Sequence, residues 1–95
     1  MRVKVLYLGL IRHKTGKNGE EYDLEEDSSL ANLLNRIAER YGNALKGIMG
    51  GEGESRLDPT FIVTINGSVV NPTQGDRLKL RNGDSLALMT LISGG

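Results

Sequence analysis

The chain has 95 residues, 12 Lys+Arg against 12 Asp+Glu, and no cysteine. This is the size of a single domain, with room for a core and little for an enclosed active site of its own. The charge balance argues against a nucleic-acid binder, the lack of cysteine excludes disulfides, thiolate metal sites and a cysteine nucleophile on this chain, and no apolar run approaches the ~20 residues of a membrane span. Cysteine-free composition is compatible with a reducing cytoplasm. The alternation Arg2, Val3, Lys4, Val5 is no signal peptide, so a cytoplasmic location is expected. Charge is uneven along the chain: six of the 12 acids fall between Glu20 and Asp27, while Arg2, Lys4, Arg12, Lys14 and Lys17 crowd the start. Two solvated strands pairing opposite charges would account for this, and the acidic strand could also steer a basic partner.

Val3, Val5 and Tyr7 alternate with Lys4, Leu6 and Leu8, which predicts a strand, and the apolar content of both sets predicts a central one. Residues 14–19, KTGKNG, are turn chemistry, and a second strand over 20–25 follows with Tyr22 and Leu24 on one face; the chain therefore opens with a hairpin. Ser28 and Ser29 offer an N-cap. Leu30, Leu33, Leu34, Ile37, Ala38 and Tyr41 then recur at helical spacing, with Asn32, Arg36, Glu39 and Arg40 opposite and Gly42 at the place of a left-handed C-cap. Residues 43–59 carry Gly47, Gly50, Gly51 and Gly53 and predict a long mobile loop. The loop lacks the Lys-Ser/Thr ending of a phosphate-binding loop and follows a helix rather than a strand.

Residues 61–65, Asn66-Gly67 and residues 68–70 carry the strongest hairpin signal, placing Thr64 opposite Val69 and Val63 opposite Val70. Pro72 breaks the run, and Leu78 and Leu80 can plug the core from a connecting segment. Asn82-Gly83-Asp84 is a further turn, and residues 85–92 form the last strand, with Leu86 and Leu88 on one face and Ala87, Met89 and Leu91 on the other. The order is β-β-α-β-β in one α+β domain over residues 1–95, the last strand running into an extended tail over residues 91–95 that ends Gly94-Gly95. Two terminal glycines have little to pack with. They suit a chain end that enters another protein's active site, since a residue without Cβ threads a narrow channel and adopts any φ.

This order resembles the β-grasp, or ubiquitin-like, fold: a mixed sheet of four to five strands packed on one main helix. Residues 4–12 (KVLYLGLIR) followed by Thr15-Gly16, residues 29–34 (SLANLL), Ile65-Asn66-Gly67, residues 82–88 (NGDSLAL) and Gly94-Gly95 resemble the MoaD-like small subunit of molybdopterin synthase, within the MoaD/ThiS family of sulfur carriers. Thr90-Leu91 stand where that family often has a proline pair, and Met89 stands where it often has a bulky aromatic. The thiazole-pathway carriers (ThiS-like) share fold and tail but usually lack so long a segment between helix and third strand.

The resemblance implies a chemistry. A carboxylate is a poor electrophile, so Gly95 would be adenylated with ATP by a ubiquitin-activating-like enzyme (MoeB/ThiF-like) and converted by a sulfur donor to a thiocarboxylate. A large subunit (MoaE-like) would then hold the tail while sulfur passes to a pterin precursor. The chain itself binds no cofactor and no metal and is a carrying subunit with no turnover alone. The resemblance also implies a partner surface at the positions of Val69 and Met89, joined by Leu91, and a basic position near the tail at Arg12. Met89 and Leu91 could instead pack under the glycine-rich loop, and Arg12 could be a solvated hairpin arginine. His13 has no evident acid–base partner or ligand set. Two other functions need the same tail, a modifier joined through Gly95 to target lysines and a ThiS-like carrier for thiazole synthesis; a third alternative is a non-conjugating β-grasp binding module whose terminal glycines are incidental.

Overall fold

The computed structural model describes residues 1–45, 48 and 61–91. Five strands form one mixed sheet in the order β2-β1-β5-β3-β4, with β1 at Arg2–Tyr7, β2 at Gly19–Asp23, β3 at Phe61–Ile65, β4 at Ser68–Val70 and β5 at Ser85–Thr90. β1 runs parallel to β5, and the other three pairings are antiparallel. Helices α1 (Gly9–Thr15) and α2 (Leu30–Tyr41) complete the main elements. This is the β-grasp arrangement expected from the sequence. Among the described residues no helix is long and apolar enough to cross a membrane.

The core follows from the strand period. Val3, Val5 and Tyr7 of β1 and Leu86 and Leu88 of β5 point inward and are buried, and they meet Leu30, Leu33, Leu34 and Ile37 from one stripe of α2. The start of α2 is fixed by Ser29. Its hydroxyl accepts from the Asn32 N–H at 3.2 Å, while Asn32 Oδ1 accepts from the Ser29 N–H at 2.8 Å, a reciprocal cap that satisfies donors the first turn would otherwise orphan. The 3-10 stretch Pro72–Arg77 packs on that same end. A Cβ built on the buried Gly75 would lie 3.0 Å from the Ala31 nitrogen, so glycine is what lets the two backbones approach. Leu80 fills the core from the segment that follows, as expected, and Leu78 packs against it half-buried.

The hairpin of β3 and β4 has the expected register, Thr64 opposite Val69 and Val63 opposite Val70. Asn66 and Gly67 both take positive φ, 52° and 86°, as a two-residue turn that matches strand twist requires. Four expectations are corrected. The opening β1–β2 connection is not a tight hairpin: α1 lies between the strands, because Gly9 at φ 55° turns the chain out of β1, Ile11 docks in the core, and Gly16 at φ 74° ends the helix left-handed. β2 ends at Asp23 rather than residue 25, although Leu24 stays on the buried face with Tyr22, its N–H bonded to the Met1 carbonyl. Gly42 is not in the left-handed well (ψ is −120°). It opens a 3-10 turn, Gly42–Leu45, so the first residues of the expected 43–59 loop are ordered, and Leu45 and Ile48 are buried. The final strand, β5, ends at Thr90 rather than residue 92, with Leu91 already outside it. Residues 46, 47 and 49–59 of the expected loop and residues 92–95 of the expected tail lie outside the described residues.

Candidate functional site

The parallel pairing of β1 and β5 decides where the chain leaves the sheet. Register runs from Lys4 opposite Ser85 to Tyr7 opposite Leu88, and the Leu8 N–H donates to the Leu88 carbonyl at 3.0 Å. Both strands therefore end at one end of the sheet, the end at which β3 begins with Phe61 opposite Thr90. Leu91 follows directly and is 67% exposed. Gly94 and Gly95 lie outside the described residues; what is described is the platform from which residues 92–95 depart.

The outward face of the sheet at this end is apolar. Leu6 lies beside Ala87, Ala87 opposite Thr64 and Thr64 opposite Val69, in one row across four strands, while Met89 faces Ile62 in the next. Val69 is 72% exposed, Leu6 and Leu8 are also exposed, and Ile62, Ala87 and Met89 are half-buried. The opposite end of the same face is charged: Lys4 lies opposite Glu21 and Arg2 opposite Asp23, with Arg2 Nε 3.2 Å from Asp23 Oδ1 and Arg2 Nη1 3.7 Å from Glu21 Oε1. The hydrogen bond to Asp23 raises the Arg2 guanidinium, and the same bond holds the Asp23 carboxyl below its usual range.

Of the residues expected at a partner surface, Val69, Met89 and Leu91 all fall on the outward side. The apolar neighbours Leu6, Leu8 and Ile62 were missed as surface residues. The signal for the first two was present, because the alternation that buries Val5 and Tyr7 must turn Leu6 and Leu8 outward. Arg12 is exposed on α1, off the sheet face. With Gly9, His13, Gly16, Lys17 and Asn18 it lines an open hollow of about 350 Å³ between α1 and the turn into β2. Among the described residues no group of His, Asp and Glu could hold a metal ion.

Beneath this surface lies a polar cluster that periodicity did not reveal. Glu20 Oε2 accepts hydrogen bonds from the hydroxyls of Tyr7 at 2.6 Å, Tyr22 at 2.9 Å and Tyr41, while Oε1 faces Lys17 Nζ at 3.3 Å and Arg40 Nε at 3.4 Å. All three tyrosines of the chain converge there. Burial pushes the Glu20 carboxyl up, but the bonds from Tyr41, Tyr7, Tyr22 and Lys17 outweigh it and hold the carboxyl down at about 2. Tyr7, Tyr22 and Tyr41 are all raised, in each case chiefly by burial. The cluster ties β1, β2, the α1–β2 turn and the end of α2 to one carboxylate and so braces the platform from inside.

A family model described as the ThiS family matches residues 5–95. No curated protein matches the sequence significantly. Among solved structures, the small archaeal modifier protein SAMP1 of Haloferax volcanii is 21% identical, with a TM-score of 0.81 over 100% of both chains. A Pyrococcus furiosus protein assigned as molybdopterin converting factor, subunit 1, is 23% identical, with a TM-score of 0.72 over 95% of this chain and 97% of its own. A chain from the BexX/CysO complex of Amycolatopsis orientalis is 19% identical, with a TM-score of 0.67 over 98% and 99%. At these identities the structural likenesses establish the fold.

Proposed function

The chain belongs to the ThiS family, and from that membership we propose that it is a sulfur carrier whose Gly95 is adenylated and converted to a thiocarboxylate. The observation that carries the reading is the joining of an apolar outer face to the end of the sheet from which the chain runs toward Gly94-Gly95. A carrier needs both together: a face that docks, and a tail that reaches the partner's active site while the domain stays outside. Residues 91–95, fully extended, span ~17 Å.

In the proposed cycle a terminal carboxylate oxygen of Gly95 attacks the α-phosphate of ATP in an activating enzyme of the MoeB/ThiF type. Pyrophosphate leaves, and an acyl-adenylate with a good leaving group remains. Hydrosulfide from the sulfur source attacks the acyl carbon, the bond to AMP breaks, and a thiocarboxylate remains. The acceptor we propose is a pterin precursor held by a MoaE-like large subunit, in molybdenum- or tungsten-cofactor synthesis. Support comes from the segments quoted above and from the likeness to the Pyrococcus furiosus protein. No side chain of this chain acts as acid or base in that cycle; its own contribution is docking, through Val69, Met89 and Leu91 with Leu6, Leu8 and Ile62, and Arg12 at the flank. Apolar side chains gathered on a surface favour burial against a partner.

A second reading is carried by a specific observation: a structure that the chain matches over its full length is named a modifier. The same activated Gly95 would then form an isopeptide bond with a target lysine. The test is intact mass after incubation with ATP, activating enzyme and a sulfur source, followed by thiol alkylation. With no cysteine in the chain, one alkyl adduct mapped to Gly95 means a thiocarboxylate. Absence of an adduct, with an enzyme shown competent on another carrier, overturns sulfur carriage. High-molecular-weight conjugates that vanish on deletion of Gly94-Gly95 would then favour the modifier.

A further inference from the structure

Apart from Arg12, which flanks the proposed docking face, the residues that line the hollow beside α1 have no part in it. Gly9, Arg12, His13 and Gly16 recur at the three- and four-residue intervals that put side chains on one side of a helix, and Lys17 and Asn18 continue around it from the turn into β2. Gly16 at φ 74° folds the chain back so that the turn faces the helix. Basic residues in the last turn complement a helix C-terminus, which explains their presence in α1. It does not explain why Arg12 and His13 converge on one hollow with Lys17 and Asn18.

The donor set is specific in kind. Arg12 offers a planar fork suited to two oxygens of one anion, Lys17 a compact charge, and Asn18 a side-chain amide; the Asn18 carbonyl is already occupied by the Tyr7 N–H at 2.8 Å. The acid nearest in the bonding network is Glu20, which Lys17 meets at 3.3 Å. That carboxylate is already engaged by three tyrosine hydroxyls and by Arg40. Among the described residues Arg12 and His13 make no ion pair. Gly9 and Gly16 contribute no Cβ, so the floor stays open. A volume of about 350 Å³ is at the small end of ligand sites and is open on one side, which fits a phosphate and part of the group that bears it. Position adds a reason. Gly9 follows the last backbone bond between β1 and β5, Leu8 N–H to Leu88 O, so the hollow lies at the end of the sheet where β5 gives way to Leu91.

We propose that the hollow formed by Arg12, His13, Lys17 and Asn18, at the end of the sheet where β5 ends, binds the phosphate group of a small phosphate monoester. The inference does not rest on the chemistry of Gly95, because binding is read on the chain alone. The experiment is a nuclear magnetic resonance titration of the full chain with inorganic phosphate, AMP and glycerol 3-phosphate, at constant ionic strength held with chloride. It follows the amides of residues 9–18, the Arg12 Nε–H and the His13 ring. The expected result is saturable shifts confined to these residues, with affinity about tenfold weaker in Arg12→Gln and unchanged in Lys14→Gln, which removes the same charge from the same helix without touching the hollow. Tighter binding of AMP than of glycerol 3-phosphate assigns the site to a nucleotide; equal binding assigns it to the phosphate alone. Shifts that fail to saturate, that spread over distant residues, or that weaken equally in both variants would overturn the proposal.

Discussion

On the inner face of the sheet Val3, Val5, Tyr7, Val63, Leu86 and Leu88 are at most 1% exposed, whereas on the outer face Val69 and Leu91 are 72% and 67% exposed. The first set comes from β1, β3 and β5, and the second from the edge strand β4 and the residue that follows β5; on β1 and β5 themselves Leu6, Ala87 and Met89, one residue out of step with the buried set, face outward. Apolar side chains on the first face are covered by α2 and the α1 turn, and those on the second are covered by nothing in the described chain. The difference separates two tasks: the inner face makes the domain stable, and the outer face, which includes Leu91, is the one we propose for recognition. Substitutions on the two faces should therefore separate into stability effects and binding effects with little overlap.

The largest expected effect is on function with no effect on the fold. Deleting Gly94-Gly95, or adding one residue after Gly95, should abolish thiocarboxylate formation in the alkylation assay while leaving the thermal midpoint unchanged. Parallel melting and mass measurements check both halves. A shift in midpoint would mean that the tail packs on the domain and would blur the separation.

The next effect falls on the inner face. Leu88→Ala should cost about 2–5 kcal/mol in chemical denaturation, the range for truncating a buried leucine into a partly collapsing cavity. Leu88 is wholly buried and lies between Tyr7 and Val63 on the neighbouring strands. Its neighbour Met89, one step along on the outer face, should change stability by less than about 0.5 kcal/mol when made alanine. Similar losses at both positions would defeat the comparison.

The Glu20 cluster sharpens the inner side further. Glu20→Gln should destabilise by about 2 kcal/mol, since three hydroxyls and two cations lose their charged partner. The pH dependence has a definite sign. A carboxyl held at about 2 in the folded chain, against 4.5 ordinarily, contributes stability that is complete above its ordinary value and lost as pH falls toward 2. The tyrosines are shifted the other way, so their contribution is complete below their ordinary value of 10 and is lost as pH rises above it. Melting curves across pH should show a plateau between these limits. The acid limb should flatten in Glu20→Gln. Because all three tyrosines belong to the cluster, tyrosinate absorbance should appear only as the chain unfolds at alkaline pH.

How much of this the sequence announced depends on the range of the interaction. The α2 stripe and the 61–70 hairpin with its register were legible, because each rests on a local period or on the Asn66-Gly67 pair. Helix α1 was not: seven residues with one buried side chain, Ile11, leave no period to read, and its boundaries are set by the positive φ of Gly9 and Gly16. Glu20 looked like one more acid in a solvated run; only the approach of β1 and α2 supplies Tyr7, Tyr41 and Arg40. On the surface, alternation alone placed Val69, Met89 and Leu91 outward. It also placed Leu6 and Leu8 there, but their apolar character suggested a strand covered on both faces, and β1 is covered on one.

A smaller effect is expected on the outer face. Val69→Asp and Leu91→Asp should each weaken binding to the activating enzyme about tenfold, the measure of a moderate contact residue, with the thermal midpoint unchanged because both side chains are already in solvent. Binding by calorimetry next to melting of the free chain tests the pair of claims, and undiminished affinity in both variants would move the docking surface elsewhere.

The smallest effect belongs to the charged end of the same face, where Arg2 meets Asp23 at 3.2 Å and Glu21 at 3.7 Å. All three side chains are well over half exposed, so water and salt screen the attraction, and ordering two long side chains offsets part of it. Arg2→Ala should therefore leave denaturant stability and partner affinity nearly as they are, and what change there is should shrink as salt rises. The backbone of Arg2 does more than its guanidinium: its N–H donates to Asn82 Oδ1 at 2.8 Å and its carbonyl accepts from the Gly83 N–H at 2.8 Å, and both bonds survive the substitution. Asn82→Ala removes the first of them and should cost more than Arg2→Ala in the same denaturation series. The reverse order would show that the charged end of the outer face, and not only the inner core, stabilises the fold.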